Sequence, residues 1–188
     1  CLKEWARENV VKLLVFCHPD DDDKTRALQE ARVKRLFTAA RRNNLEFLLE
    51  VIPSKVGAVD DDTSATLIQQ FYDAGVYPDW WKLEPFTTDD AWQNAVNAIE
   101  RNDPRTRGIV VLGLDASEEE LAASFAMAAK QPLVKGFAVG RTIFGDAARA
   151  WMKGDMTDSE AVSQMADRFQ RLCDCWDTAR NTARLNAA

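Results

Sequence analysis

The sequence predicts an α/β fold in which five strands, each followed by a helix, build one parallel sheet. Three observations lead there. Short apolar runs alternate along the chain with longer segments whose apolar residues recur at helical spacing. The runs (VVKLLVFC, EFLLEVI, GIVVLGL) are close to continuous, as in strands covered on both faces. Strict β-α alternation then requires parallel strands joined by right-handed crossovers. Two architectures satisfy this pattern: an open doubly wound sheet, and a TIM (β/α)₈ barrel of which five units are present. No Gly-rich fingerprint follows the first strand, so a dinucleotide-binding fold has no support.

Leu2 to Asn9 is polar around Trp5 and reads as the end of a preceding helix. Val10 to Cys17 is the first strand, stopped by His18-Pro19 and a run of aspartates. Lys24 to Asn43 carries Ala27, Ala31, Leu36, Phe37 and Ala40 at helical spacing, with Asn43-Asn44 as its stop. Glu46 to Ile52 is the second strand, ended by Pro53 and followed by a polar loop. Thr63 to Ala74 is a helix closing at Gly75. The third strand, from Trp80, ends at Pro85, because proline cannot donate to a ladder. Thr87 to Arg101 is a helix with a threonine N-cap and aspartates in its first turn. Gly108 to Leu114 is the fourth strand, and Ser117 with Glu120 forms a capping box opening a helix to Lys130. Leu133 to Val139 is the fifth strand; helices over Phe144–Met152 and from Asp158 to about Arg184 complete the chain.

The 188 residues suffice for one sizeable core, so residues 1–188 are taken as a single domain. The chain begins with Cys1 and enters a strand almost at once, which reads as the later part of something longer. A net charge of −6 and acidic runs at Asp20–Asp23 and Asp60–Asp62 argue against nucleic acid as a partner. No apolar run reaches the ~18 residues of a membrane span, and no membrane partner is expected. Cys173 and Cys175 are too close for an easy disulfide, and one histidine with four cysteines makes no zinc set. A reducing, cytoplasmic setting without a cofactor or metal is the expectation.

The chemistry gathers at the carboxyl ends of the strands, where ligands meet both architectures. In the third strand Trp80, Lys82 and Glu84 share one face, with Trp81 and Leu83 on the other. An amine there that is partly desolvated keeps its lone pair for attack on a carbonyl. The first strand carries Lys12 and is followed by His18 and Asp20; the second carries Glu50; Asp115 follows the fourth and Gly140-Arg141 the fifth. Lysine and glutamate are seldom buried unless paired or functional. Salt bridges of Lys12 with Glu50 and of Lys82 with Glu84 are the structural alternative, and buried pairs stabilise poorly compared with apolar packing. Gly140-Arg141 at a strand end followed by a helix start suits an anion. His18 is a strand-end acid/base candidate or a hydrogen-bonded loop residue; Trp80 packs or lines the site.

The segments VKLLVFCHPDD, EFLLEVIP, DWWKLEP, VVLGLD and VKGFAVGRTIFGDAARAW resemble the C-terminal domain fused to a sugar kinase in proteobacterial inositol-catabolism proteins, a 5-dehydro-2-deoxyphosphogluconate aldolase. More distantly they resemble the class I tagatose-bisphosphate aldolases, where a Lys-x-Glu strand carries a Schiff-base lysine. The resemblance implies a TIM barrel of which this chain holds the later five β/α units. It implies an aldolase, a carbon–carbon lyase of carbohydrate metabolism, cleaving a phosphorylated keto-deoxy sugar acid to dihydroxyacetone phosphate and malonate semialdehyde. Lys82 is then the Schiff-base lysine, Glu84 its neighbouring carboxylate and Glu50 a proton-transfer group. Lys12 destabilises charge on Lys82 or holds a substrate oxygen. Gly140 and Arg141 grip phosphate, with His18, Trp80 and Asp115 as further binding residues. A sugar phosphate as ligand, a fused N-terminal sugar kinase and a homo-oligomer are the expected partners. Two other classes remain open at this stage: a metal-dependent lyase or isomerase using Asp20, Glu50, Glu84 and His18, and a non-catalytic sugar-phosphate-binding or regulatory module.

Overall fold

The computed structural model describes residues 2–113 and 116–186. In order it contains β1 (Val10–Val15), α1 (Asp23–Arg42), β2 (Glu46–Val51), α2 (Thr63–Asp73), β3 (Trp80–Leu83), α3 (Asp89–Asn102), β4 (Gly108–Leu112), α4 (Glu118–Ala128), β5 (Val134–Ala138), α5 (Arg141–Lys153) and α6 (Asp158–Asn186). The fold is the parallel α/β alternation read from the sequence, with the strands in chain order, β1-β2-β3-β4-β5. A doubly wound sheet reverses its order at a switch point. Here no reversal occurs, and the winding is that of successive barrel units. By contact the chain falls into two compact units: residues 1–83 with 88–110, and 84–87 with 111–188.

Boundaries differ from the sequence expectation where a proline or polar residue follows a strand. β3 stops at Leu83, two residues before Pro85, and β1 at Val15, before Cys17. The polar amino-terminal stretch is a single 3-10 turn, Leu2–Glu4. Helix α5 starts at Arg141 instead of Phe144, because Gly140 acts as its N-cap and accepts from the amides of Ile143 and Phe144. Capping follows side-chain chemistry closely. Asp22 accepts from Lys24 and Thr25, Thr88 from Ala91, and Ser117 with Glu120 forms the expected box.

In the first unit the register Val11↔Phe47, Leu49↔Trp81 and Val51↔Leu83 places those side chains on one sheet face, and all are buried. Helices α1 and α2 both cover that face. Phe37 of α1 meets the Phe47 ring edge-on at 5.7 Å, while Phe71 and Tyr72 of α2 lie against Trp81. The Trp81 indole also donates to the Tyr72 hydroxyl at 3.0 Å, and burial raises the pKa of that phenol. The opposite face carries Lys12, Leu14, Leu48, Glu50, Trp80 and Lys82 and is only partly covered, apart from Glu50.

In the second unit the core is an aromatic stack. Phe125 of α4 lies 4.9 Å from Phe137 of β5 and meets Trp176 of α6 edge-on. Arg180 of α6 donates to the carbonyls of Ala129 and Gln131, just after α4, and of Val134 at the start of β5, tying α6 to the segment that joins them.

Two measurements check this assignment of faces. Leu49→Ala lowers the unfolding free energy by about 2–5 kcal/mol, and Leu48→Ala on the partly covered face by clearly less, both read by urea denaturation. Burial, with Asp21 adding, pushes the Cys17 thiol up to about 12. Cys17 therefore stays unlabelled by a thiol reagent at pH 8 until the chain unfolds, while partly exposed Cys175 on α6 reacts.

Candidate active site

On the partly covered face of the first unit, Glu50 and Lys82 are register partners across β2 and β3. Register partners of parallel strands project to the same side, and here Lys82 Nζ lies 3.0 Å from Glu50 Oε1. Lys12 stands opposite Leu48, further from the carboxyl ends, yet its long stem brings Nζ to Glu50 Oε2. That contact is an ion pair without the alignment of a hydrogen bond, so charge alone holds it. The Glu50 side chain is 5% exposed, that of Lys82 17% and that of Lys12 46%. One carboxylate thus serves two amines, one sheltered and one half in solvent. Lys12 and Glu50 form the salt bridge that the sequence offered as the structural alternative, and Lys82 has the partner Glu50 across the strands. Glu84 lies one residue beyond β3, in the second unit, and is buried.

Trp80 shares this face but points towards its amino end, where its indole donates to Glu46 Oε2 at 2.8 Å. Arg107 closes the other oxygen of Glu46 at 2.5 Å. Sequence reading missed Glu46 and Arg107, although Glu46, Leu48 and Glu50 have the same parity along β2. His18, after β1, is buried and committed at both nitrogens. Nε2 donates to the Ala58 carbonyl at 2.8 Å, and Nδ1 accepts from the Asp20 amide at 3.3 Å. The absent side chain of Gly57 matters here, since a Cβ would lie 3.0–3.2 Å from the imidazole. His18 thereby fastens the loop after β2 to the end of β1. Asp61 and Asp62 fasten the same loop to Thr88 and to Asn94 of α3. Among the described residues no group of three or more His, Cys, Asp and Glu is placed to hold a metal.

In the second unit, Arg141 and Thr142 open α5 and line a cavity of about 670 Å³ with Ser117, Arg149, Arg168 and Arg171. Three of its arginines are positioned by two acids. Glu118 takes Arg171 through two hydrogen bonds, 2.8 and 2.9 Å, and Asp146 takes Arg149 and Arg168. Gly140 has a negative φ; it is small because a Cβ would press on the Phe144 ring at 3.0 Å. Arg149, Arg168 and Arg171 escaped sequence reading, though Arg168 and Arg171, three apart on α6, share a helix face. Asp115 lies outside the described residues.

A family described as "Uncharacterized protein conserved in bacteria (DUF2090)" matches residues 1–180, and the chain belongs to it. None of the curated proteins compared with it matches. Among solved structures, the chain is similar to a fructose-bisphosphate aldolase from Plasmodium falciparum, crystallised in complex with TRAP and a small-molecule inhibitor. The TM-score is 0.65 at 17% identity, over 93% of this chain and 57% of that one. The likeness shows the fold: this chain has an aldolase-like α/β architecture, consistent with part of a TIM barrel, and spans 57% of the aldolase chain it matches.

The Glu118 carboxyl is held below its ordinary range, first by the Arg171 hydrogen bonds and then by the charges of Arg171 and Arg168. A depressed carboxyl stabilises the fold above its ordinary value, and that contribution disappears as pH falls through the folded value. Arg171→Leu accordingly lowers the urea midpoint at pH 7, and the gap from the parent protein narrows as the pH falls below the ordinary carboxyl range.

Proposed function

We propose that this protein is a Schiff-base aldolase acting on a phosphorylated keto-deoxy sugar acid. The observation that carries the reading is the sheltered Lys82 amine 3.0 Å from the buried Glu50 carboxylate. Glu50 takes the proton of the Lys82 ammonium across that contact, leaving the amine free to attack the ketone. The carbinolamine gains a proton on oxygen from the same acid and loses water, giving an iminium. Glu50, again a carboxylate, removes the proton of the hydroxyl two carbons from the iminium carbon. The bond from that hydroxyl-bearing carbon to the carbon next to the iminium breaks, its electron pair becomes the enamine double bond as the iminium π pair returns to nitrogen, and the aldehyde leaves. Protonation at carbon and hydrolysis then release the ketone and restore Lys82.

On 5-dehydro-2-deoxyphosphogluconate these steps give malonate semialdehyde and dihydroxyacetone phosphate, the inositol-catabolism reaction implied by the sequence resemblance. Lys12, on the second oxygen of Glu50, orients the acid or holds a substrate oxygen; Glu84 is a further proton carrier. Arg141 with Gly140 binds the phosphate, which the arginine-lined cavity of the second unit supports. A cytoplasmic setting, a homo-oligomer and a fused sugar kinase belong to the same reading. No described helix is long and apolar enough to cross a membrane.

Borohydride reduction in the presence of dihydroxyacetone phosphate should fix a three-carbon phosphate adduct on the Lys82 peptide. Lys82→Ala abolishes the adduct, and Glu50→Gln lowers turnover by about 10²–10⁴-fold, the usual contribution of a general acid–base, without unfolding the chain. Ligand binding with no adduct and no turnover would instead identify a binding module. Turnover retained by Lys82→Ala but lost in EDTA would identify a metal-dependent lyase.

A further inference from the structure

On the first unit, away from the strands, a groove of about 660 Å³ lies along α1 beside the Leu2–Glu4 turn. Lys3, Lys34, Arg35 and Arg42 line it, with Ala31 and Ala39 among the small residues between them and no carboxylate in the lining. That is unexpected in a chain of net charge −6. Where α1 uses an arginine structurally it supplies partners: Arg41 meets Asp79 at 2.6 Å and the Tyr77 carbonyl at 2.7 Å. The four cations of the groove have no ion pair or side-chain hydrogen bond among the described residues. Like charges along one helix face repel and cost stability, a cost that a bound anion reverses.

We propose that this groove binds an oligophosphate, either a nucleoside di- or triphosphate or a short phosphate chain. Size and spacing select that class. The volume falls in the range of small-ligand pockets, roughly 300–1,000 Å³. Arg35 and Arg42 are seven residues apart, about 10 Å along the axis at 1.5 Å per residue. One phosphate reaches a single end of that span, whereas a chain of phosphates engages both, with bidentate guanidinium contacts at each. The site is separate from the Lys82–Glu50 pair, and the proposal does not rest on the aldolase reading.

Titration calorimetry on the full chain at 150 mM salt tests it, with tripolyphosphate, ATP and orthophosphate as probes. Tripolyphosphate should saturate one site and bind at least tenfold tighter than orthophosphate. Arg35→Gln/Arg42→Gln should weaken it at least tenfold, with the unliganded melting temperature no lower than the parent's. Lys34 stays intact in this variant because it lies over Gly75 at the end of α2. ATP tighter than tripolyphosphate marks a nucleotide ligand; equal affinities mark the phosphate chain alone. The proposal is overturned by the absence of saturable binding, or by a polyglutamate peptide that binds as well as tripolyphosphate. Affinity unchanged in the double variant but lost in Arg141→Gln would place the anion in the other cavity and overturn it too.

Discussion

The contact between Lys82 and Glu50 exists because two parallel strands are locked in one register. A slip of one residue would turn Lys82 under the helices and bring Trp81 out, since side chains alternate along a strand. What prevents the slip is Trp81 itself. Its ring is fully buried against Phe71 and Tyr72, and its indole proton is matched to the Tyr72 hydroxyl. The apolar face therefore fixes the polar one, and the charged pair need contribute nothing to stability to be held in place. This suits what is known of buried pairs, whose desolvation cost offsets most of their attraction.

Much of this arrangement was legible in the sequence. Alternation of strand and helix gave the fold class, and parity within DWWKL separated the lysine from Trp81 and Leu83. Glu50 could be assigned to a strand, yet the pairing Glu50↔Lys82 could not, because register between strands thirty residues apart depends on how aromatic side chains pack between them. Strand ends were read two residues late at Pro85, since a proline marks where a ladder must have stopped, not where it stops. The role of His18 was illegible for another reason. Its partner is a backbone carbonyl, at Ala58, and carbonyls carry no side-chain signature.

In the second unit the same distinction recurs. The capping box of α4 is local and was read directly, whereas the arginine network joins α4, α5 and α6 and exists only after they pack. Glu118 and Asp146 spread the guanidinium groups along the cavity instead of leaving them to repel one another. Their presence lowers the net positive charge available to a ligand. The cavity on α1 takes the opposite course, leaving its cations uncompensated.

The partly covered face of the first unit holds one layout twice. At its amino end Glu46 receives a donor on each oxygen, from Trp80 and Arg107; at its carboxyl end Glu50 faces a cation on each oxygen, Lys82 on one and, through charge alone, Lys12 on the other. An indole and a guanidinium keep their protons in proteins, so the first arrangement can only hold shape. A lysine that passes its proton to the neighbouring acid becomes a nucleophile. The fold neighbour alone does not assign chemistry, since one barrel carries many reactions. The difference between these two donor sets is what supports placing the proposed chemistry at Lys82 and not at Glu46.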